Sequence, residues 1–190
     1  MCGRLNVIND PLAKWVNDYF GMSFTTESNS DLRPTQEIAT ISRISESLQQ
    51  IDTTWGIKPS WSKKLIINAQ SETAATKKTF KNAYARNRCM IPCMGWYEWR
   101  DEGGERKQRY SFTHADGLPF LMAGIWFQSE GKPQLVTLTT HPNEKCSEIH
   151  KRMPVLIMPE DTECWLSFEV ESIQPLLLPV ENELIRIEKC

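Results

Sequence analysis

Cys2 follows the initiator Met1 directly, in Met1-Cys2-Gly3-Arg4. Cysteine is small enough for the initiator to be removed, and the mature chain would then begin with an amine and a thiol on adjacent carbons. That pair is suited to trapping an aldehyde. The amine condenses to an imine, the thiol adds to the same carbon, and a five-membered thiazolidine closes, which neither an internal cysteine nor a lysine can form. With reference pKa values of about 7.7–8.0 for the amine and about 8.5 for the thiol, both nucleophiles are available near neutral pH. On position alone, a cysteine in second place is also what chance produces, so this reading depends on what else the chain carries. The other cysteines, Cys89, Cys93, Cys146, Cys164 and Cys190, form no disulfide framework. Cys89 and Cys93 lack the second pair or nearby histidine that a zinc site needs, so they are expected in the core as reduced thiols, and neither metal nor cofactor is expected.

Charge placement is the second signal. A net charge of −2 and a pI near 6.0 argue against coating nucleic acid through bulk charge. Yet residues 58–88 hold eight basic side chains against Glu72 alone, while residues 159–190 hold eight acidic ones against Arg186 and Lys189. This asymmetry fits a basic face for a polyanion and an acidic back, although a solvated basic surface without a partner would look the same. Nothing in the sequence approaches the roughly 20 apolar residues of a membrane span, and residues 1–30 lack a signal-peptide pattern. A cytoplasmic, monomeric protein is expected, nucleoid-associated when engaged with DNA, or nuclear if eukaryotic.

The elements that must position these groups are short. Residues 10–20 read as a helix, with Asp10 as cap, Pro11 in the first turn, apolar residues at helical spacing and an end near Gly21. Residues 25–31 are polar and read as loop. Strands are predicted over 38–44, 48–55, 109–113, 120–127 and 134–140, separated by turns such as Asp116-Gly117 and Glu130-Gly131. A short helix is predicted over 143–150, another helix start at Pro159-Glu160-Asp161, and a closing strand over 184–187. With 190 residues, one α+β domain spanning 1–190 is expected.

Four local sequences carry more: Cys2-Gly3-Arg4, Ile67-Asn68-Ala69-Gln70-Ser71-Glu72-Thr73, Gly95-Trp96-Tyr97-Glu98-Trp99, and Ile149-His150-Lys151-Arg152-Met153-Pro154. Together they resemble the SRAP family, the SOS-response-associated peptidase or abasic-site-processing proteins. Connecting pieces such as Trp55-Gly56-Ile57-Lys58-Pro59, Arg88-Cys89-Met90-Ile91-Pro92 and Thr139-Thr140 follow the family order, from Met1 through roughly Trp165. The resemblance implies a predominantly antiparallel β-sheet curved around a central basic channel, with short peripheral helices. It also implies a sensor of abasic sites in single-stranded DNA, acting in the DNA damage response, that bonds covalently to the lesion through Cys2. The peptidase name would describe self-removal of Met1, and strand cleavage as a lyase is a further implied activity.

Residue by residue, the resemblance makes Cys2, Asn68, Glu98 and His150 the candidate catalytic set. Glu98 lies between Tyr97 and Trp99, where apolar neighbours can raise its pKa enough for general acid/base work on the Cys2 amine; a solvent-facing glutamate is the plainer reading of such a strand. His150 titrates near neutrality and could protonate the sugar ring oxygen as the aldehyde opens. Asn68 offers a neutral amide to orient the amine or a sugar hydroxyl. Arg4, Lys78 and Arg152 match basic positions of the family, Arg86 and Arg88 share the same basic stretch, and Thr139 belongs to a matching piece, so all are candidate DNA contacts. Trp61, expected in an exposed loop, could stack on a base. Gln70 stands where the family usually has arginine, which puts one phosphate contact in doubt. Two other classes remain open on the same residues: an N-terminal-nucleophile amidase or peptidase using Cys2, and a non-catalytic single-stranded-DNA-binding module using the basic stretch and Trp61.

Overall fold

The computed structural model describes residues 3–190, so Met1 and Cys2, on which the capture chemistry turns, lie outside the described residues. From the N-terminus run β1 (Leu5–Val7), α1 (Asn9–Phe20), β2 (Asn29–Leu32), β3 (Glu37–Ile44), β4 (Ser47–Trp55) and β5 (Asn68–Gln70). The middle of the chain holds α2 (Ser71–Ala74), α3 (Lys81–Arg86), β6 (Arg88–Cys93), β7 (Gly95–Arg100), β8 (Gln108–His114), β9 (Phe120–Phe127) and β10 (Gln134–Thr140). Then come α4 (Glu144–Ser147), β11 (Met153–Pro154), β12 (Leu156–Ile157), α5 (Thr162–Ser167) and β13 (Ile185–Lys189).

The strands form two sheets. One is antiparallel throughout, in the order β13-β8-β7-β1-β2. The other runs β11-β10-β4-β3-β6-β9-β12, with β5 beside β10. Because β9 also pairs with β10, from Gln134↔Phe127 to Thr137↔Gly124, strands β10, β4, β3, β6 and β9 close into a ring with no free edge. The architecture is thus the predominantly antiparallel α+β one, with two parallel exceptions where β10 meets β4 and β5. Strand β6 is buried along its whole length and β9 along most of it, which is why β9 reads as a continuous apolar run rather than an alternating one.

Local chemistry explains most boundaries. The expected cap at Asp10 is corrected: α1 begins at Asn9 after Ile8, and Asp10, with an extended backbone (φ −106°, ψ 117°), kinks its first turn ahead of Pro11; the helix ends at Gly21, whose left-handed φ of 61° lets its N–H reach the Asn17 carbonyl. The β3–β4 hairpin turns on Ser45 and Glu46, both at positive φ, the twist a two-residue hairpin needs. Residues 25–31 depart from the predicted loop at their end: β2 starts at Asn29 because its backbone completes the edge of the first sheet against β1, with only Leu32 buried. Gly95 opens β7 at φ 155°, and a Cβ there would meet the Phe112 carbonyl oxygen at 2.1 Å, so only glycine lets β7 lie this close to β8.

The buried side chains of both sheets and of the helices form one cluster that includes Trp55, Trp96 and Phe112 from strands, Tyr84 from α3 and Trp165 from α5. Cys89 and Cys93 are buried in it as free thiols. Arg88 is also inside. Its Nε donates to Trp165 O at 2.6 Å, its Nη1 to Tyr84 O at 3.0 Å and its Nη2 to Phe168 O, while the guanidinium lies over the Trp165 ring. The expected phosphate contact at Arg88 is therefore corrected: a buried guanidinium whose three nitrogens each bond a backbone carbonyl is an internal brace.

Candidate active site

Alternation along β7 sets the site. Trp96 and Glu98 point to the core side while Tyr97 and Trp99 are half-exposed, so the glutamate sits among apolar neighbours with 3% of its surface accessible. Burial pushes the Glu98 carboxyl up to about 7. His150 comes from the turn after α4, and its Nε2 lies 4.0 Å from Glu98 Oε2. Burial lowers the His150 pKa. Its Nδ1 lies 3.1 Å from Arg152 N and 3.0 Å from Arg152 O. The neutral ring can accept from that N–H, with the proton on Nε2 toward Glu98, and the protonated ring can donate to that carbonyl, so the backbone accommodates both states.

The N-terminal strand meets β7 beside the carboxylate. Leu5 pairs with Trp96, and Tyr97 N donates to Arg4 O at 3.1 Å. Arg4 itself pairs with Asp31, which also holds Arg33, and lies 5.5 Å from the centre of the Trp99 ring. The Asp31 carboxyl is held below its usual range first by the Arg33 hydrogen bond.

Asn68 and Gln70 lie on β5, in parallel register with Thr137 and Thr139 of β10. The Thr137 hydroxyl bonds the Asn68 side-chain amide and the Ile67 carbonyl, which holds the amide in place on β5. Arg152 sits just before β11, where Met153 pairs with Thr140, and it donates to both Glu72 oxygens at 2.7 and 2.8 Å and to the Thr139 carbonyl. Thr139 is fully buried, so its side chain braces Arg152 and Ala69 instead of meeting a ligand, which corrects its reading as a DNA contact.

Sequence reasoning missed Thr137, Glu72 and Asp31 as partners of the candidate residues. For Glu72 there was a signal: it is the lone acid in a stretch of eight cations, and the Arg152 hydrogen bond now holds its carboxyl below the usual range. Trp61 is 68% exposed, and Gln70, Lys78 and Arg86 are exposed as well, so these four lie on the surface. Among the described residues no group of three or more metal-ligating side chains occurs, and no helix is long and apolar enough to cross a membrane.

Residues 1–189 match the family model for the SOS response associated peptidase, SRAP. The chain belongs to this family. It is 29% identical to the abasic site processing protein YoqW of Bacillus subtilis, over 96% of this chain and 89% of that one. It is 30% identical to the abasic site processing protein YedK of Escherichia coli, over 74% of this chain and 65% of the relative. An X-ray structure of a protein from Bordetella bronchiseptica superposes with a TM-score of 0.85 at 25% identity, covering 100% of this chain and 99% of the other. The SRAP chain therefore carries the family's motifs on the family's fold, with Glu98 and His150 facing each other.

Proposed function

We propose that this protein processes abasic sites in single-stranded DNA by bonding to them through Cys2 once Met1 has been hydrolysed away. The observation that carries the reading is the buried Glu98 carboxyl, poised near neutrality 4.0 Å from His150, on the strand that pairs with the N-terminal strand. Cys2 is two residues upstream of Arg4, whose carbonyl accepts from Tyr97 N next to Glu98, and the reading takes its amine and thiol as the groups this carboxylate serves. The names of the curated relatives, abasic site processing proteins, support the same substrate.

In this reading Glu98 takes a proton from the Cys2 ammonium so that the free amine can attack the open-chain aldehyde. His150 donates a proton as the sugar ring opens, and Asn68 orients the amine or a hydroxyl. The carbinolamine loses water to give the imine. The thiol sulfur then adds to the imine carbon and the thiol proton ends on nitrogen, so the adduct has the mass of protein plus DNA less one water. Arg4, Lys78, Arg86, Arg152 and Gln70 line the approach of the phosphates, and Trp61 stacks on a base beside the lesion. Met1 removal would use the same carboxylate, and lyase cleavage would follow from the imine by β-elimination.

Intact mass after incubation with an abasic single-stranded oligonucleotide tests this. The expected product is a denaturation-stable adduct lost in Cys2→Ser and in a form retaining Met1. An undiminished adduct in either would refute capture through this residue, and an amidase would show no fixation at all.

A further inference from the structure

His150 has no strand of its own to hold it against Glu98. It lies in the short turn between α4 and β11, fastened on its far side by Arg152 to Glu72. On the near side the fastening is Arg100. Two residues beyond Glu98 on β7, Arg100 shares its face of the strand, and in the β7–β8 register Tyr110 lies directly opposite Glu98. Arg100 Nη1 donates to the Glu148 carbonyl at 3.1 Å, two residues before His150. Its Nη2 donates to the Tyr110 hydroxyl at 2.8 Å, its Nε to Glu102 Oε1 at 3.2 Å, and its guanidinium lies 5.1 Å from the Tyr110 ring centre. Glu102 in turn accepts from Tyr110 and, at 2.7 Å, from Lys189 of β13. These three donors, Lys189 first, hold the Glu102 carboxyl down at about 2, so the node stays charged across the working pH range.

We propose that Arg100 is a positioning residue: by tying β7, β8 and Glu102 to the Glu148 carbonyl, it sets the separation between Glu98 and His150. The planar fork suits this, because it engages a carboxylate, a hydroxyl and a carbonyl at once, which an ammonium cannot do in one geometry. A substrate served by two acid–base groups tolerates little slack between them, and a displacement of about 1 Å costs on the order of a hundredfold in rate. The inference rests on the abasic-site reading for its kinetic readout only.

The test compares wild type, Arg100→Met, Arg100→Lys and Glu102→Gln. With saturating abasic single-stranded DNA, the rate constant of adduct formation is expected to fall about tenfold in Arg100→Met, with the end-point and the affinity for an intact strand of equal length unchanged. Arg100→Lys should recover part of the loss. A brace that served stability alone would lower the end-point instead of the rate constant. NMR titration of the His150 ring on the protein without DNA is the independent arm: as the turn loosens into solvent, its pKa should rise toward the ordinary value of about 6.5 in Arg100→Met. An unchanged rate constant or an unchanged titration in a folded Arg100→Met protein overturns the proposal. If Arg100→Met does not fold, Glu102→Gln decides by the same two readouts. A wild-type protein that forms no adduct would sink the capture reading, while the titration would still decide the clamp.

Discussion

Arg88 and Glu98 lie ten residues apart, on consecutive strands, and both are more than 90% buried. Around Arg88 each guanidinium nitrogen has a carbonyl acceptor, from Trp165, Tyr84 and Phe168, so the charge is compensated and belongs to the architecture. Around Glu98 burial dominates, and the carboxyl is held near the midpoint of its titration at neutral pH. A buried charge with a full set of partners joins elements. One that burial has brought to the edge of neutrality can exchange a proton at little cost.

The largest expected effect lies on the Glu98 side of this comparison. Adduct formation by wild type should rise with pH through about 7, as Glu98 ionises. Glu98→Gln should lose roughly 10²–10⁴ in rate at neutral pH, recovering in part at higher pH where the Cys2 amine deprotonates unaided. Stopped reactions across pH 5–9 would measure it, and a variant with wild-type rate at every pH would break the comparison.

On the Arg88 side, the effect should fall on stability alone. Arg88→Met strands the buried Trp165 and Tyr84 carbonyls and releases that of Phe168, and should cost about 3 kcal/mol in urea unfolding, with the rate constant of the folded fraction unchanged. A stable Arg88→Met protein that had lost DNA affinity would return Arg88 to the DNA-binding set.

A third expectation is a stability cost at Glu98. Its folded pKa is raised from 4.5 to about 7, so between those values the folded chain keeps a proton that the unfolded chain releases, and wild-type stability falls as pH rises through that window. Glu98→Gln lacks this slope. It should equal wild type near pH 4 and exceed it by about 3 kcal/mol at pH 8, at about 1.4 kcal/mol per unit; parallel stability profiles would contradict the assignment.

The smallest effect should come from the exposed face. Trp61→Ala should weaken binding of single-stranded DNA by about 1–2 kcal/mol without altering the rate at saturation. Wild-type affinity should fall with salt at a slope near −0.7 per phosphate contact. A Trp61→Ala protein with full affinity, or a flat salt response in fluorescence anisotropy, would remove Trp61 and the basic stretch from the interface.

Legibility in the sequence followed element size. Strands β9 and β10 were predicted over the residues they occupy, 120–127 and 134–140, because long apolar runs between turns are self-sufficient signals. Strands β1 and β5, three residues each, carry too little pattern to be read. They exist because β7 and β10 offer backbone partners to them. The same limit hid β2 inside a polar stretch.

The sequence by itself determined the chemistry available: an aminothiol at the second residue, an aromatic-flanked glutamate, a histidine beside two cations, and the order of motifs that marks the family. Those properties reside in single side chains and short spacings, so they survive without a fold. Only the tertiary structure decided that Arg88 turns inward while Arg152 pairs with Glu72, that Thr139 is a brace, and that Glu98 faces His150. Burial and partnership depend on which strands close the ring and which carbonyls they leave to be satisfied, and no local spacing encodes that.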